Sequence, residues 1–254
     1  MPVAESEMVR VDASQRLIFP LDVPTVERAK QWVHDLDGIV SFFKVGLELF
    51  VTSGIAIVPY LVKNQKRVFL DLKYYDVPET VKGAVKQVAE LGVSFLTIHG
   101  NGKIVKAAVE GRGKSDLKLL SVTVLTSFDH DDIKDLGFEC SVQELVLHRA
   151  RKALEAGCDG VISSPQETDK IRAMITGDIK KADGAKFLIV TPGIRPRSAS
   201  KDDHKRLSDP ASAIANGADY LVVGRPIREA TNPKQAARDL VAEMQEAFDK
   251  RYNL

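Results

Sequence analysis

The stretch FLDLKYYDVPETV, Phe69 to Val81, decides the architecture: an apolar run ends in two charges of opposite sign and then meets a proline. Side chains alternate faces along a strand, so Asp71 and Lys73 share one face with Phe69, while Leu70 and Leu72 share the other. Apolar residues on both faces belong to a strand buried on both sides, as in a parallel sheet covered by helices. Pro78 suits the first turn of the next helix, which leaves Asp76 in the connecting loop.

The same unit recurs along the chain, an apolar run followed by a polar turn and a helically spaced stretch. The other candidate strands are RLIFPLD ending at Asp22, SFFKVGL around Lys44, FLTIHG ending at Gly100 and LKLLSVTVLT ending at Thr126. GVISS ending at Ser164, KFLIVTPG ending at Gly193 and YLVVGR ending at Arg225 complete the set. Parallel pairing requires the helical crossovers that separate these runs. A chain of 254 residues suits a single (β/α)₈ barrel of roughly 250 residues, and the α/β TIM barrel is the expected fold. A doubly wound open sheet is the rival. We assign residues 15–254 to one catalytic barrel domain and expect Met1 to Ser14, which lack periodicity, to form a mobile extension.

Asp22, Lys44, Asp71, Lys73, His99, Thr126 and Arg225 all fall at or near the C-terminal ends of their strands, the rim on which barrels build active sites. Ser127–Cys140 and Gly193–Pro210, two longer stretches read as irregular, follow strands on that rim and are candidate lids. Parity places Lys44 in line with Phe42 and Gly46, and Asp22 in line with Pro20 and Ile18. Asp22, Lys44, Asp71, Lys73 and Asp76 thus form an alternating charge array in which each carboxylate holds an ammonium group. Its bland alternative is a set of structural ion pairs closing the barrel top.

A second signal lies at the last two strand ends, in VTPGIRP (Val190 to Pro196) and VVGRPI (Val222 to Ile227). Barrels commonly bind phosphate there. Gly193 and Gly224 let backbone N–H groups approach an anion, and Arg195 and Arg225 offer forked donors. Tight turns with solvated arginines are the alternative. His99 fits a hydrogen-bonded structural role better than that of a general base, and His34, His130 and His148 lie in no motif.

Composition excludes several classes. Lys plus Arg is 36 and Asp plus Glu 35, a net charge of +1, which makes no bulk electrostatic case for nucleic acid or an anionic membrane. A 44% hydrophobic and 28% charged chain is not disordered. Cys140 and Cys158 have neither zinc spacing nor scaffold density. The histidines lack metal-ligand spacing, and two lysines beside Asp71 would repel a cation, so no required metal is expected. MPVAESEMVR has no signal-peptide core, and no apolar run reaches the roughly 18 residues of a membrane span; a cytoplasmic protein is expected.

These residues resemble the orotidine 5′-phosphate decarboxylase family, its bacterial form in particular. The likeness covers nearly the whole chain after Ser14 and rests on LDV (Leu21 to Val23), FKVG (Phe43 to Gly46), D-x-K-x-x-D-x-P-x-T-V (Asp71 to Val81), VTPGIRP, and GRPI (Gly224 to Ile227). It implies decarboxylation of orotidine 5′-phosphate to UMP without metal or cofactor, Lys73 being the proton donor and Asp71 lying against the substrate carboxylate. Lys44 and Asp22 would hold the ribose region and the array, while Asp76, joined by Thr80, would act across a homodimer interface in the partner's site. Thr126 would touch the pyrimidine, and Arg195, Gly224 and Arg225 would bind the 5′-phosphate. His204 stands where the family usually carries a phosphate-binding glutamine. A Mg-dependent sugar-phosphate decarboxylase or hexulose-phosphate synthase, which shares D-x-K-x-x-D, is the nearest rival, and the P-x-T-V continuation and GRPI favour the nucleotide enzyme. A Schiff-base aldolase would need Lys73 neutral, against the push of its aspartates.

Overall fold

Eight parallel strands close on themselves in sequence order, so the barrel is complete and the open-sheet rival is excluded. The computed structural model describes residues 11–177, 185–195 and 208–253. The first half comprises β1 (Leu17–Pro20), α1 (Val26–Asp35), β2 (Phe42–Gly46), α2 (Leu47–Ser53), α3 (Ile57–Lys63), β3 (Arg67–Tyr74), α4 (Pro78–Ala89), β4 (Phe95–Ile98) and α5 (Gly102–Arg112). The second comprises β5 (Lys118–Val122), α6 (His130–Asp135), α7 (Val142–Glu155), β6 (Gly160–Ile162), α8 (Thr168–Gly177) and β7 (Leu188–Thr191), then α9 (Pro210–Ala215), β8 (Tyr220–Val222), α10 (Arg225–Arg228) and α11 (Pro233–Tyr252).

Alternation along the strands builds two cores. Leu17, Phe19, Phe43, Val45, Leu70 and Leu96 point outward into the layer shared with the helices. Ile18, Phe42, Phe69, Phe95, Leu120, Val190 and Tyr220 point inward and fill the barrel. The inner rings meet edge to face, with centroids 4.9 Å apart for both Phe42–Phe95 and Phe95–Tyr220, the arrangement that ring quadrupoles favour. At the N-terminal end the Arg67 guanidinium lies 4.1 Å from the Phe42 centroid and that of Arg16 lies 4.6 Å from Tyr220, so cations stacked on rings close the bottom.

Two buried aspartates repeat one device at the strand starts. Asp159 accepts the Leu119 N–H and pairs with Arg112, and Asp219 accepts the Ile189 N–H and pairs with Arg172. Each carboxylate thereby satisfies an amide at the start of the neighbouring strand and pins a helix to the sheet.

Three expectations are corrected. Ser127–Cys140 is not irregular: α6 lies within it, held by a capping box in which Asp129 and Asp132 satisfy each other's backbone N–H groups. Arg225 is not a strand residue, because β8 stops at Val222 and Arg225 opens α10. The chain is tied down from Val11 rather than after Ser14. Ala13 is fully buried and donates its N–H to Gln245 of α11, whose amide donates to the Val11 carbonyl. The rest of the expected extension, residues 1–10, and most of the second candidate lid, residues 196–207, lie outside the described residues.

Candidate active site

Four charged side chains meet above the aromatic layer, Lys44 from β2, Asp71 and Lys73 from β3, and Asp22 from the loop just past β1 rather than from the strand expected to end there. Lys44 Nζ lies 3.0 Å from Asp22 Oδ1 and 3.5 Å from Asp71 Oδ2, and Lys73 Nζ lies 2.9 Å from Asp71 Oδ1. The chain Asp22, Lys44, Asp71, Lys73 is therefore continuous. Asp22 is held from behind by Arg228, which donates to its carbonyl at 3.0 Å. Gly46 leaves the room that the first pair needs, since a β-carbon there would sit 2.9 Å from Lys44 Nζ and 3.2 Å from Asp22 Oδ1. Burial pushes the Asp71 carboxyl up, but the charges of Lys44 and Lys73 and the hydrogen bonds from Lys73 and Thr97 outweigh that and hold it below the usual carboxylate range.

The strand is not regular where it matters. Leu70 pairs with Leu96 and Tyr74 with Ile98, so Asp71, Leu72 and Lys73 together face only Thr97 on β4. Lys73 takes a left-handed backbone with φ of +49°, uncommon for a residue bearing a β-carbon. Alternation predicted that Asp71 and Lys73 would both reach the mouth, and they do; for Lys73 a bulge achieves it. Thr97, absent from the sequence reading, is fully buried, accepts the Lys73 N–H at 2.9 Å and donates to Asp71 Oδ1 at 2.9 Å. Its signal was available, because period two puts it on the inward face with Phe95.

A cavity of about 270 Å³ opens on this array. Lys44, Asp71 and Lys73 form one wall over Phe69, the opposite wall is apolar with Val122, Val124, Ile162 and Val222, and Thr126 and Ser127 stand with Pro192 around them. Such a space suits a flat ring with one ionic edge. The apolar wall also escaped the sequence reading, which followed polar residues.

Arg195 and Arg225 are neighbours at the ends of β7 and β8. Burial, then the charge of Arg225, lowers the Arg195 pKa, with Glu229 opposing them. Gly193 has φ of +78°, and a β-carbon on Gly224 would sit 2.8 Å from Pro20 Cγ, so this glycine also lets β8 approach β1. His204 lies outside the described residues. His99 is half-buried, edge-on to Tyr75 at 5.5 Å, with its pKa lowered by burial and then by Arg149 and Lys73.

Asp76 does not join the array of its own barrel. It is exposed, and its carboxylate accepts the Val77 N–H. Thr80, on the first turn of α4, is exposed as well. Both project from the rim beside Tyr75 and Val77, which are 69% and 62% exposed. Cys140 and Cys158 are free thiols, and burial pushes that of Cys158 up to about 12, which removes it as a nucleophile at neutral pH. Among the described residues there is no group of three His, Cys, Asp or Glu side chains placed to hold a metal ion, and no helix long and apolar enough to cross a membrane.

Residues 15–240 match the orotidine 5′-phosphate decarboxylase / HUMPS family. The chain belongs to this family. Among family members, the orotidine 5′-phosphate decarboxylase of Nitrobacter winogradskyi is 51% identical over 236 residues, spanning 93% of this chain and 95% of the relative. That of Methylococcus capsulatus is 48% identical over 94% of this chain and 95% of its own length. Among solved structures, the orotidine 5′-phosphate decarboxylase of Lactobacillus acidophilus superposes with a TM-score of 0.77 at 35% identity, covering 91% of this chain and 99% of that one. The decarboxylase family thus accounts for the barrel from β1 into α11.

Proposed function

We propose that the protein is a carboxy-lyase that decarboxylates orotidine 5′-phosphate to UMP, the closing step of de novo pyrimidine synthesis, in the cytoplasm. The observation that carries this reading is the Asp22, Lys44, Asp71, Lys73 chain along one wall of a cavity whose other wall is apolar. A pyrimidine placed there has its carboxylate edge toward Asp71 and Lys73 and its face against Val122, Ile162 and Val222, with Thr126 at hand for the ring's polar groups.

The bond from C6 to the carboxylate breaks, its electron pair stays on C6, and CO₂ departs. Lys73 Nζ supplies a fixed positive charge for that developing carbanion and then gives it a proton. The neutral amine regains a proton from solvent. Asp71 crowds the leaving carboxylate and holds both lysines in place. With two ammonium groups in the array, the site supplies the positive charge that a metal would bring and repels a cation in its place, so catalysis needs neither metal nor other cofactor. Arg195, Arg225 and the Gly224 backbone take the 5′-phosphate, whose remote binding energy serves closure around the ring. Asp76 and Thr80, exposed at the rim, complete the site of a second copy in a two-fold homodimer.

The test is the loss of orotidine 5′-phosphate absorbance with purified protein, with and without EDTA. Equal turnover in both is the expected result. Dependence on added Mg²⁺, or turnover of a sugar phosphate but not of the nucleotide, would move the chain to the hexulose-phosphate branch of the family.

A further inference from the structure

The feature that the charge array leaves unexplained is why β3 abandons the regular ladder at Asp71. In an unbroken parallel pair each successive residue has its own partner, and the N–H of Lys73 would be met by a carbonyl. Here three β3 residues face one β4 residue. The Lys73 N–H is met instead by the Thr97 hydroxyl, which itself donates a hydrogen bond to Asp71 Oδ1. A hydroxyl is the one small group that accepts and donates at the same atom.

We infer that Thr97 is a positioning residue for the proton donor, its hydroxyl pinning the β3 bulge so that the Asp71 carboxylate and the Lys73 ammonium face one another at the cavity wall. Three observations carry this inference. Thr97 is fully buried on the inward face of β4. Lys73 holds a left-handed φ of +49°, a conformation that persists only when its surroundings enforce it. Lys73 Nζ and Thr97 Oγ1 both sit 2.9 Å from the same oxygen, Asp71 Oδ1, so the hydroxyl fixes which oxygen the ammonium meets. Among the described residues, Lys44 and Lys73 are the charged groups paired with Asp71, and Thr97 is its neutral hydrogen-bond donor.

The inference rests on the decarboxylase reading for its kinetic test, and a substrate-free measurement keeps the two separable. Thr97→Val preserves shape and removes both hydrogen bonds, Thr97→Ser preserves the hydroxyl, and Thr97→Ala serves as a second hydroxyl-free variant should valine fail to fold. A hydrogen bond to a charged group is worth enough to predict about a ten- to hundredfold loss of kcat in the valine or alanine variant, with KM changed far less. Serine restores kcat to within a few-fold. The acid limb of the kcat profile moves up in pH in the hydroxyl-free variants and stays in place in serine, because the Asp71 carboxylate has lost a donor.

Valine or alanine turnover within twofold of wild type, or serine as slow as valine, overturns the inference. If wild type shows no turnover of orotidine 5′-phosphate, the proposed function fails by itself. The carboxyl ¹³C titration of Asp71 then decides for Thr97: a raised midpoint in the hydroxyl-free variants upholds the role, and an unmoved one ends it.

Discussion

At the residue scale the proposed chemistry concentrates on two neighbours of very different character. Lys73 faces the cavity rather than a core, with a side chain 34% exposed, so Lys73→Ala is expected to fold as wild type does. Its kcat falls by at least the 10² to 10⁴ typical of a lost proton donor, with lost charge stabilisation added. Circular dichroism and the absorbance assay check this, and activity within tenfold of wild type would remove Lys73 from its role. Gly46 does its work by lacking a side chain. In Gly46→Ala the new methyl meets the flexible tip of Lys44 and the Asp22 carboxylate at 2.9 and 3.2 Å, so the backbone has no need to move and the ion pair does. The expected signature is a thermal midpoint within a degree or two of wild type together with a clear fall in kcat/KM. A large loss of stability without a kinetic effect would show that Gly46 serves packing alone.

At the scale of elements, the pair α4 and α5 shows how closely the outer layer is built. A β-carbon on Gly111 of α5 would lie 2.3 Å from the Lys82 carbonyl oxygen of α4. Helix propensity alone favours Gly111→Ala by about 1 kcal/mol, whereas overpacking against backbone costs about 1 to 3 kcal/mol. The steric cost wins because a helix backbone cannot step aside as a side chain can. Gly111→Ala is expected to lower the urea midpoint, and a raised midpoint would show that the two helices can separate freely.

Elements also mark how far the sequence could be read. All eight strands were legible, since runs such as RVFLDLK carry apolar residues on both faces, and so was the convergence of Lys44, Asp71 and Lys73. The bulge was not. It depends on which β4 residue stands opposite Asp71, a register set by two strands together and visible in neither alone. Thr97 and the apolar cavity wall went unread because a search for charges passes over a threonine and four valine or isoleucine side chains. Arg225 read as strand because YLVVGR is continuous, yet the Pro226 that follows it favours a helix start. The cap of α6 uses aspartates at both ends of its box, outside the Ser/Thr and Glu/Gln pattern by which such boxes are recognised.

At the scale of the whole molecule, the exposed Asp76 and Thr80 make a subunit prediction. In the proposed two-fold dimer each site takes Lys73 from one chain and Asp76 from the other. Mixing an inactive Lys73→Ala chain with an inactive Asp76→Ala chain then gives mixed dimers in which one site has both defects and the other none. With free exchange, activity returns to about a quarter of wild type. No recovery, with exchange verified by mass spectrometry, would show that Asp76 serves its own barrel.

The stacked rings and arginines at the N-terminal end carry a consequence for traffic. Phe42, Phe69 and Phe95 are at most 1% exposed, so the barrel is a vessel with a floor. Under the proposed reaction the gas cannot drain through the axis while the nucleotide waits above. Substrate, CO₂ and UMP then share one doorway, so the small product must leave past the apolar wall and the nucleotide. Until it has left, CO₂ stands within reach of the C6 carbanion, and protonation by Lys73 must outrun its recapture.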